Sequence, residues 1–139
     1  MRLELHCHST HSDGSLAAAE VAARAGKQGV ELFCLTDHDT LDGYEATAAA
    51  LPGVTVLRGL ELSCKHDGKT IHLLMYGVRP GAGTEALEQR LVGVLEDRRL
   101  RLRAIIDRLA ELGIHLDGEQ ILRETAGRTA GRPDVARAL

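Results

Sequence analysis

Aromatic residues are almost missing from this chain: Phe33, Tyr44 and Tyr76 are the whole set in 139 residues, and there is no tryptophan. A core must therefore be assembled from Leu, Ile, Val and Ala, and a surface that stacks nucleic-acid bases on aromatic rings is hard to build. Long apolar runs are absent too, since none approaches the ~20 residues that cross a bilayer. The opening Met1–His6 has a Glu and a His where a secretion signal needs an unbroken apolar stretch, so a cytoplasmic protein with no membrane partner is expected. Cysteine is sparse. Cys7, Cys34 and Cys64 are odd in number and lack a disulfide spacing, which favours reduced thiols. Nor is there an excess of basic charge. Residues 1–83 hold 10 acids and 7 bases, residues 84–139 hold 10 of each, and the net charge is −3. That balance provides no general field for nucleic acid.

The remaining composition, 44% hydrophobic and 27% charged, excludes a disordered or low-complexity chain. The length suits one ordinary domain. Histidine is the residue that stands out. Six of the seven lie within the first 72 positions, most of them beside acids.

From Arg2 to His8 the chain alternates Leu3, Leu5 and Cys7 with Glu4, His6 and His8, the period-two pattern of a strand that puts both histidines on one face. A polar loop follows, and Ser15 is expected to cap an Ala-rich helix reaching about Lys27. The apolar run Val30–Leu35 suits a strand covered on both faces and ends in Thr36-Asp37-His38-Asp39-Thr40. A helix is expected over residues 41–50, then a strand from Val54 ending near Glu61, a turn at Lys65–Lys69 and a returning strand over residues 70–78. This order argues for a parallel α/β unit over residues 1–80, with its polar clusters at the C-terminal ends of strands, where such sheets place their chemistry. Past the linker at Pro80–Gly83 the character changes to all-helical over residues 81–139. Thr84 is expected to cap a long helix ending at Gly113, a shorter helix spans about Gly118–Thr125, and Pro133 opens a last one.

Two imidazoles at i and i+2 of a strand, His6 and His8, can reach one metal ion, and Asp13 in the following loop can add an oxygen ligand. Alone, the pair reads equally well as two solvent-facing histidines. His38 lies between two aspartates at a strand end, and a helix cap is an alternative for Asp39. A single Glu61 is usually a solvated strand-end residue. His72 in Ile71-His72-Leu73-Leu74 reads by itself as a core histidine, and His11, His66 and His115 as loop or surface residues. Together, however, His6, His8, Asp13, His38, Glu61 and His72 fall on one α/β unit. Mixed imidazole and carboxylate donors suit Zn, Mn or Fe rather than Ca. Cys7 points away from the histidine face.

Glu4-Leu5-His6-Cys7-His8-Ser9 with Ser12-Asp13-Gly14, then Thr36-Asp37-His38-Asp39-Thr40, Gly59-Leu60-Glu61-Leu62-Ser63 and Ile71-His72-Leu73-Leu74, resemble the PHP (polymerase and histidinol phosphatase) family. Arg98–Leu109 and Gly131-Arg132-Pro133 resemble the helical insertion of its nucleotide phosphatase branch. That branch includes 3′,5′-nucleoside bisphosphate phosphatases, some of which are also 5′-to-3′ exoribonucleases. The resemblance implies the N-terminal part of a distorted (β/α)7 barrel followed by a helical insertion. It implies up to three divalent ions held by His6, His8, Asp13, His38, Glu61 and His72, with Glu61 bridging two of them. The implied reaction is hydrolysis of a small nucleotide or oligonucleotide phosphate, possible short RNA included, by a metal-activated hydroxide, with His6, His8 and Glu61 acting through the metal. Arg132 would fork onto the substrate phosphate.

The chain departs from the family in three places. Glu4 stands for the usual Asp. Asp134 stands for the usual His after Gly-Arg-Pro, where a carboxylate would repel a substrate phosphate; it equally suits an N-terminal acid of the last helix. A further His and an Asp-x-His pair, expected beyond the insertion, are not among these 139 residues, so six of nine expected ligands are present. A closed α/β barrel takes ~200–250 residues. The rival expectation is therefore a catalytically incomplete PHP-like module that binds metal or nucleotide and needs a second chain or a second copy to complete the site.

Overall fold

The computed structural model describes residues 1–139. A four-stranded sheet runs in the order β1 (Leu3–Glu4), β2 (Leu32–Leu35), β3 (Thr55–His66), β4 (Lys69–Tyr76). The first three strands are parallel and β4 returns antiparallel along β3. Helices α1 (Ala18–Lys27) and α2 (Tyr44–Ala50) make the crossovers, and α3 (Ala82–Glu111), α4 (Gly118–Glu124) and α5 (Arg132–Ala138) follow. The result is a half-barrel sheet followed by helices. No helix is long and apolar enough to cross a membrane.

With so few aromatics, the cores are aliphatic. Ala18, Ala22, Val30, Phe33, Leu35 and Leu51 pack α1 and the end of α2 against β2. Leu41, Leu60 and Leu91 join the sheet to α3, and Leu102, Ile106, Ile121, Leu122, Ala130 and Val135 hold the three late helices together. The long helix fully buries only Thr84, Leu91, Leu102 and Ile106, while Leu87, Ile105 and Leu109 pack half-buried against the same clusters.

Several element bounds differ from the sequence expectation, each for a local reason. Regular pairing of β1 stops at Glu4, because the His6 N–H bonds to the Glu4 side chain (3.1 Å) instead of to a neighbouring strand. The chain rejoins the sheet at Cys7, whose carbonyl accepts from the Thr36 N–H at 3.0 Å. Ser15 does not cap α1. Gly14 lies so close to His8 that a Cβ there would stand 2.4 Å from the His8 carbonyl oxygen, and the loop folds back on itself until Ala17. Only glycine fits that approach. Residues 41–43 precede α2 instead of opening it, leaving Leu41 free to enter the core. Strand β3 continues past Glu61 to His66 because the hairpin with β4 extends it. Asp67 and Gly68 turn that hairpin with φ of 48° and 73°, the left-handed pair of a tight two-residue loop. Helix α3 begins at Ala82 with Gly81 as its cap, and the Thr84 hydroxyl donates back to the Arg79 carbonyl.

Candidate metal centre

The parallel pairing of β2 with β3 ends at Leu35 and Arg58, and past it a single bridge joins His38 to Glu61. The Glu61 N–H donates to the Asp37 carbonyl and the Asp39 N–H to the Glu61 carbonyl, both at 3.1 Å. Glu61 is thus in the middle of β3, yet it sits just beyond the point where its parallel neighbour has ended. The strand-end geometry that gathers side chains above a parallel sheet is kept. His6 and His8 arrive from the segment after β1, and His72 stands on β4 opposite Ser63.

Four imidazoles and two carboxylates converge there. Neighbouring ring centroids are 5.4 Å apart for His6 and His8, 4.7 Å for His8 and His38, and 4.9 Å for His38 and His72. Glu61 Oε2 lies 2.9 Å from Nε2 of both His6 and His8, and Oε1 lies 3.5 Å from His72 Nδ1. Asp13 Oδ1 is 2.8 Å from His8 Nδ1, and its Oδ2 is 3.7 Å from His38 Nε2. Three overlapping trios have their ligating atoms within 4.8 Å of one another: His6–His8–Glu61, His8–Asp13–His38 and His38–Glu61–His72.

Two observations favour a cation among these groups. His38 Nδ1 is buried and has no hydrogen-bond partner, standing 3.8 Å from Glu61 Oε2. That distance is too long for a hydrogen bond. Two donors each ~2.1 Å from one ion at a tetrahedral angle stand ~3.4 Å apart, which is the range seen here. Second, both ring nitrogens of His8 face carboxylate oxygens, whereas a neutral imidazole has one N–H to give. His8 must therefore be protonated or share a cation with its partners. The nitrogen and oxygen donors fit a divalent transition metal; Cys7 and Cys34 do not compete for it. Burial pushes Cys7 up to about 12 and Cys34 up to about 11, far from the thiolate form that ligates.

The charges respond to this crowding. The hydrogen bond to Asp13 raises His8 above its ordinary 6.5 against the effect of burial. The same bond lowers Asp13 from 3.8 to about 2. Burial lowers His38. For Glu61 burial acts upward, but the bond from His6 and the charges of His38, His8 and His6 together hold it below its usual value. In the metal-free chain, the His8 contribution to stability is present below 6.5 and is lost as pH rises through its folded value. The Asp13 contribution is present above 3.8 and is lost as pH falls towards 2. With metal chelated, the thermal midpoint of the unmodified chain should exceed that of Asp13→Asn most between about pH 4 and 6.5. A difference that grows steadily above pH 8 would contradict the pairing.

A supporting layer was not visible in the sequence. Buried Asp37 accepts from the Ser9 N–H (2.7 Å), the Ser9 hydroxyl (2.6 Å) and the Ser12 hydroxyl (2.5 Å), and so holds the loop between His8 and Asp13. Asp39 caps no helix. Its φ is 54°, and its carboxylate accepts from the Ser63 N–H and from Arg98 of α3, both at 2.6 Å. From the loop before α5, the Thr129 hydroxyl donates to the His38 carbonyl (2.6 Å) and the Thr129 N–H to the His11 carbonyl (2.9 Å). The two acids flanking His38 were the only signal for this layer, and nothing in the sequence marked Thr129.

A cavity of about 570 Å³ opens beside the cluster, reaching from Asp13, His38 and His72 to Lys65, Arg101 and Arg132. Arg132 is exposed on its rim and makes no ion pair. Asp134 does not reach it. Its carboxylate is buried, accepts from the Gly131 N–H at 2.8 Å and pairs with Arg128 (2.5 Å) and Arg137 (3.3 Å). Of the two roles left open for Asp134, beside the substrate phosphate or at the start of the last helix, this geometry matches the second: it is the acid in the first turn of α5. His66 is an exposed residue beside Asp67, and His115 is likewise exposed.

Residues 4–115 match the PHP domain family, 112 of the 139 positions. The chain belongs to that family. Among curated relatives it is 37% identical over 123 residues to the phosphoribosyl 1,2-cyclic phosphate 1,2-diphosphodiesterase of Eggerthella lenta, covering 86% of this chain and 46% of that protein. It is also 37% identical over 114 residues to the 3′,5′-nucleoside bisphosphate phosphatase of Chromobacterium violaceum, covering 81% and 39%. An amidohydrolase structure from Chromobacterium violaceum, with bound sulfate and no metal, superposes with a TM-score of 0.88 at 32% identity over all of this chain and 49% of that one. This PHP chain therefore spans less than half the length of these relatives.

Proposed function

We propose that the chain carries the N-terminal share of a divalent-metal phosphoesterase centre acting on a small nucleotide phosphate. The observation that carries this reading is the set of three ligand trios sharing His8, His38 and Glu61. His6, His8, Asp13, His38, Glu61 and His72 would hold the ions. Divalent ions in such a cluster lower the pKa of water and clamp phosphoryl oxygens. The chain's own part is orientation. Glu61 receives His6 and His8 on one oxygen, Asp13 fixes the His8 ring, and Arg132 at the cavity rim offers a forked donor to a substrate phosphate. The cationic side chains of Lys65, Arg101 and Arg132 along the cavity suit an anionic substrate.

A second reading is a module that binds metal but hydrolyses nothing until more polypeptide completes the site. It is favoured by the sharing of six donors among three trios, which leaves no trio with three ligands of its own. Metal analysis and a phosphate-release assay on the full chain separate the two. Stoichiometric Mn²⁺ with release of phosphate from 3′-phosphoadenosine 5′-phosphate supports the enzyme. Stoichiometric metal without turnover supports the module, and absence of metal binding rejects both.

A further inference from the structure

Arg98 lies on α3, far from every ligand in sequence, yet it is the most heavily engaged cation beside the centre. Its Nε donates to Asp39 Oδ2 at 2.6 Å, one terminal nitrogen to the Ser63 hydroxyl at 2.8 Å, and the other to the Ala130 carbonyl at 3.2 Å. The Asp39 side chain is fully buried and sits on left-handed backbone. An aspartate in that conformation, away from water, persists only where its surroundings over-determine it. Arg98 supplies the countercharge, and no other cation pairs with Asp39.

The contacts of Asp39 lead directly to two donors of the centre. Its other oxygen accepts from the Ser63 N–H, which locks the turn at residues 37–40 onto β3. His38 is the preceding residue, and Glu61 is bonded through its backbone to both Asp37 and Asp39. The third contact of Arg98, to Ala130, adjoins Thr129, whose hydroxyl donates to the His38 carbonyl. One guanidinium thus ties three segments together around His38: the 37–40 turn, β3 and the loop before α5.

We propose that Arg98 is a positioning residue, through which the helical segment sets His38 and Glu61 at the separation a shared ion requires. It does not itself point a nitrogen at any ligand. The proposal rests on the metal reading above, and its test has one arm that does not. A planar fork with three separate acceptors is not replaced by lysine, which can neutralise Asp39 but cannot span Ser63 and Ala130 as well.

The test uses the full chain with Arg98→Met, Arg98→Lys and the pair Arg98→Met with Asp39→Asn, the last removing the orphaned buried carboxylate. In the metal-free chain, hydrogen exchange at residues 36–40 should accelerate at least tenfold in Arg98→Met, while α1 and β2 keep their protection. Titrated with Co²⁺, the same variant should bind on the order of tenfold more weakly, with an altered visible absorption spectrum, the scale typical of lost supporting contacts around a metal. Arg98→Lys should fall between. If Arg98→Met unfolds, the paired variant is titrated instead. Unmodified exchange at 36–40, or Co²⁺ affinity and spectrum equal to the unmodified chain, overturns the role of Arg98. Accelerated exchange with no Co²⁺ bound even by the unmodified chain overturns the metal reading, and the claim about ligand separation falls with it.

Discussion

Glu61→Ala is expected to abolish tight divalent-metal binding, with a loss of at least ~100-fold, the upper end of what mere supporting residues contribute. Glu61 belongs to two of the three ligand trios, and without it only His8–Asp13–His38 remains complete. It is also the one group that touches both ends of the cluster, with Oε2 at 2.9 Å from His6 and His8 and Oε1 at 3.5 Å from His72. A neutral amide in Glu61→Gln keeps the shape but loses the charge that balances the ions, so it should retain only a small part of the affinity. His72→Ala removes a partly exposed member of a single trio and should do less. His38→Ala, which removes a member of two trios, should lie between. Metal content after dialysis, with circular dichroism to confirm folding, orders the series. Equal metal content in Glu61→Ala and the unmodified chain would remove the basis for the centre.

The sequence made the candidate donors legible and left the residues that support them hidden, for a physical reason. Donors must be His, Asp or Glu, so residue type alone narrows the choice, and period-two alternation put His6 and His8 on one face. The architecture followed from the alternation of apolar strand runs with Ala-rich helical stretches. Two expectations failed where backbone contacts, not propensity, decide the outcome. Ser15 has the chemistry of a cap, but Gly14 packs against His8 and delays the helix to Ala18. Glu61 was expected at the end of a strand, but the tight Asp67–Gly68 turn lets β4 extend β3 well past it. Arg98 and Thr129 act on residues 59 and 91 positions earlier in the chain, and no local pattern encodes such a reach. Asp134 is the converse case. Its position in a motif left a place beside the substrate and a helix-start role both open, and its neighbours Arg128, Arg137 and Gly131 match the helix-start role.

The second large effect concerns stability. Asp37→Ala should destabilise the metal-free chain by about 3 kcal/mol, because three charge-assisted bonds disappear together and the donors they leave are buried. Ser9 and Ser12 are both buried, so water cannot readily replace the carboxylate. The Ser9 N–H is the worst placed, since a hydroxyl can rotate towards another acceptor and a backbone amide cannot. Asp37→Asn keeps one oxygen for that amide and for the Ser12 hydroxyl but turns an NH₂ group on the Ser9 hydroxyl, and should recover about half the loss. In a chain of 139 residues, 3 kcal/mol corresponds to a fall of roughly 10 °C in thermal midpoint. The same change should weaken metal binding more than substitutions at exposed positions of α1 do, because the loop that Asp37 holds carries Asp13 and turns back on His8. Urea unfolding in chelator, followed by circular dichroism, measures the first effect, and a Zn²⁺ titration of the folded variant measures the second. A change within 0.5 kcal/mol for Asp37→Ala would mean that the Ser9–Ser12 loop is held by its own turn and by the Thr129 and Arg128 contacts from the helical segment, rather than by the buried carboxylate.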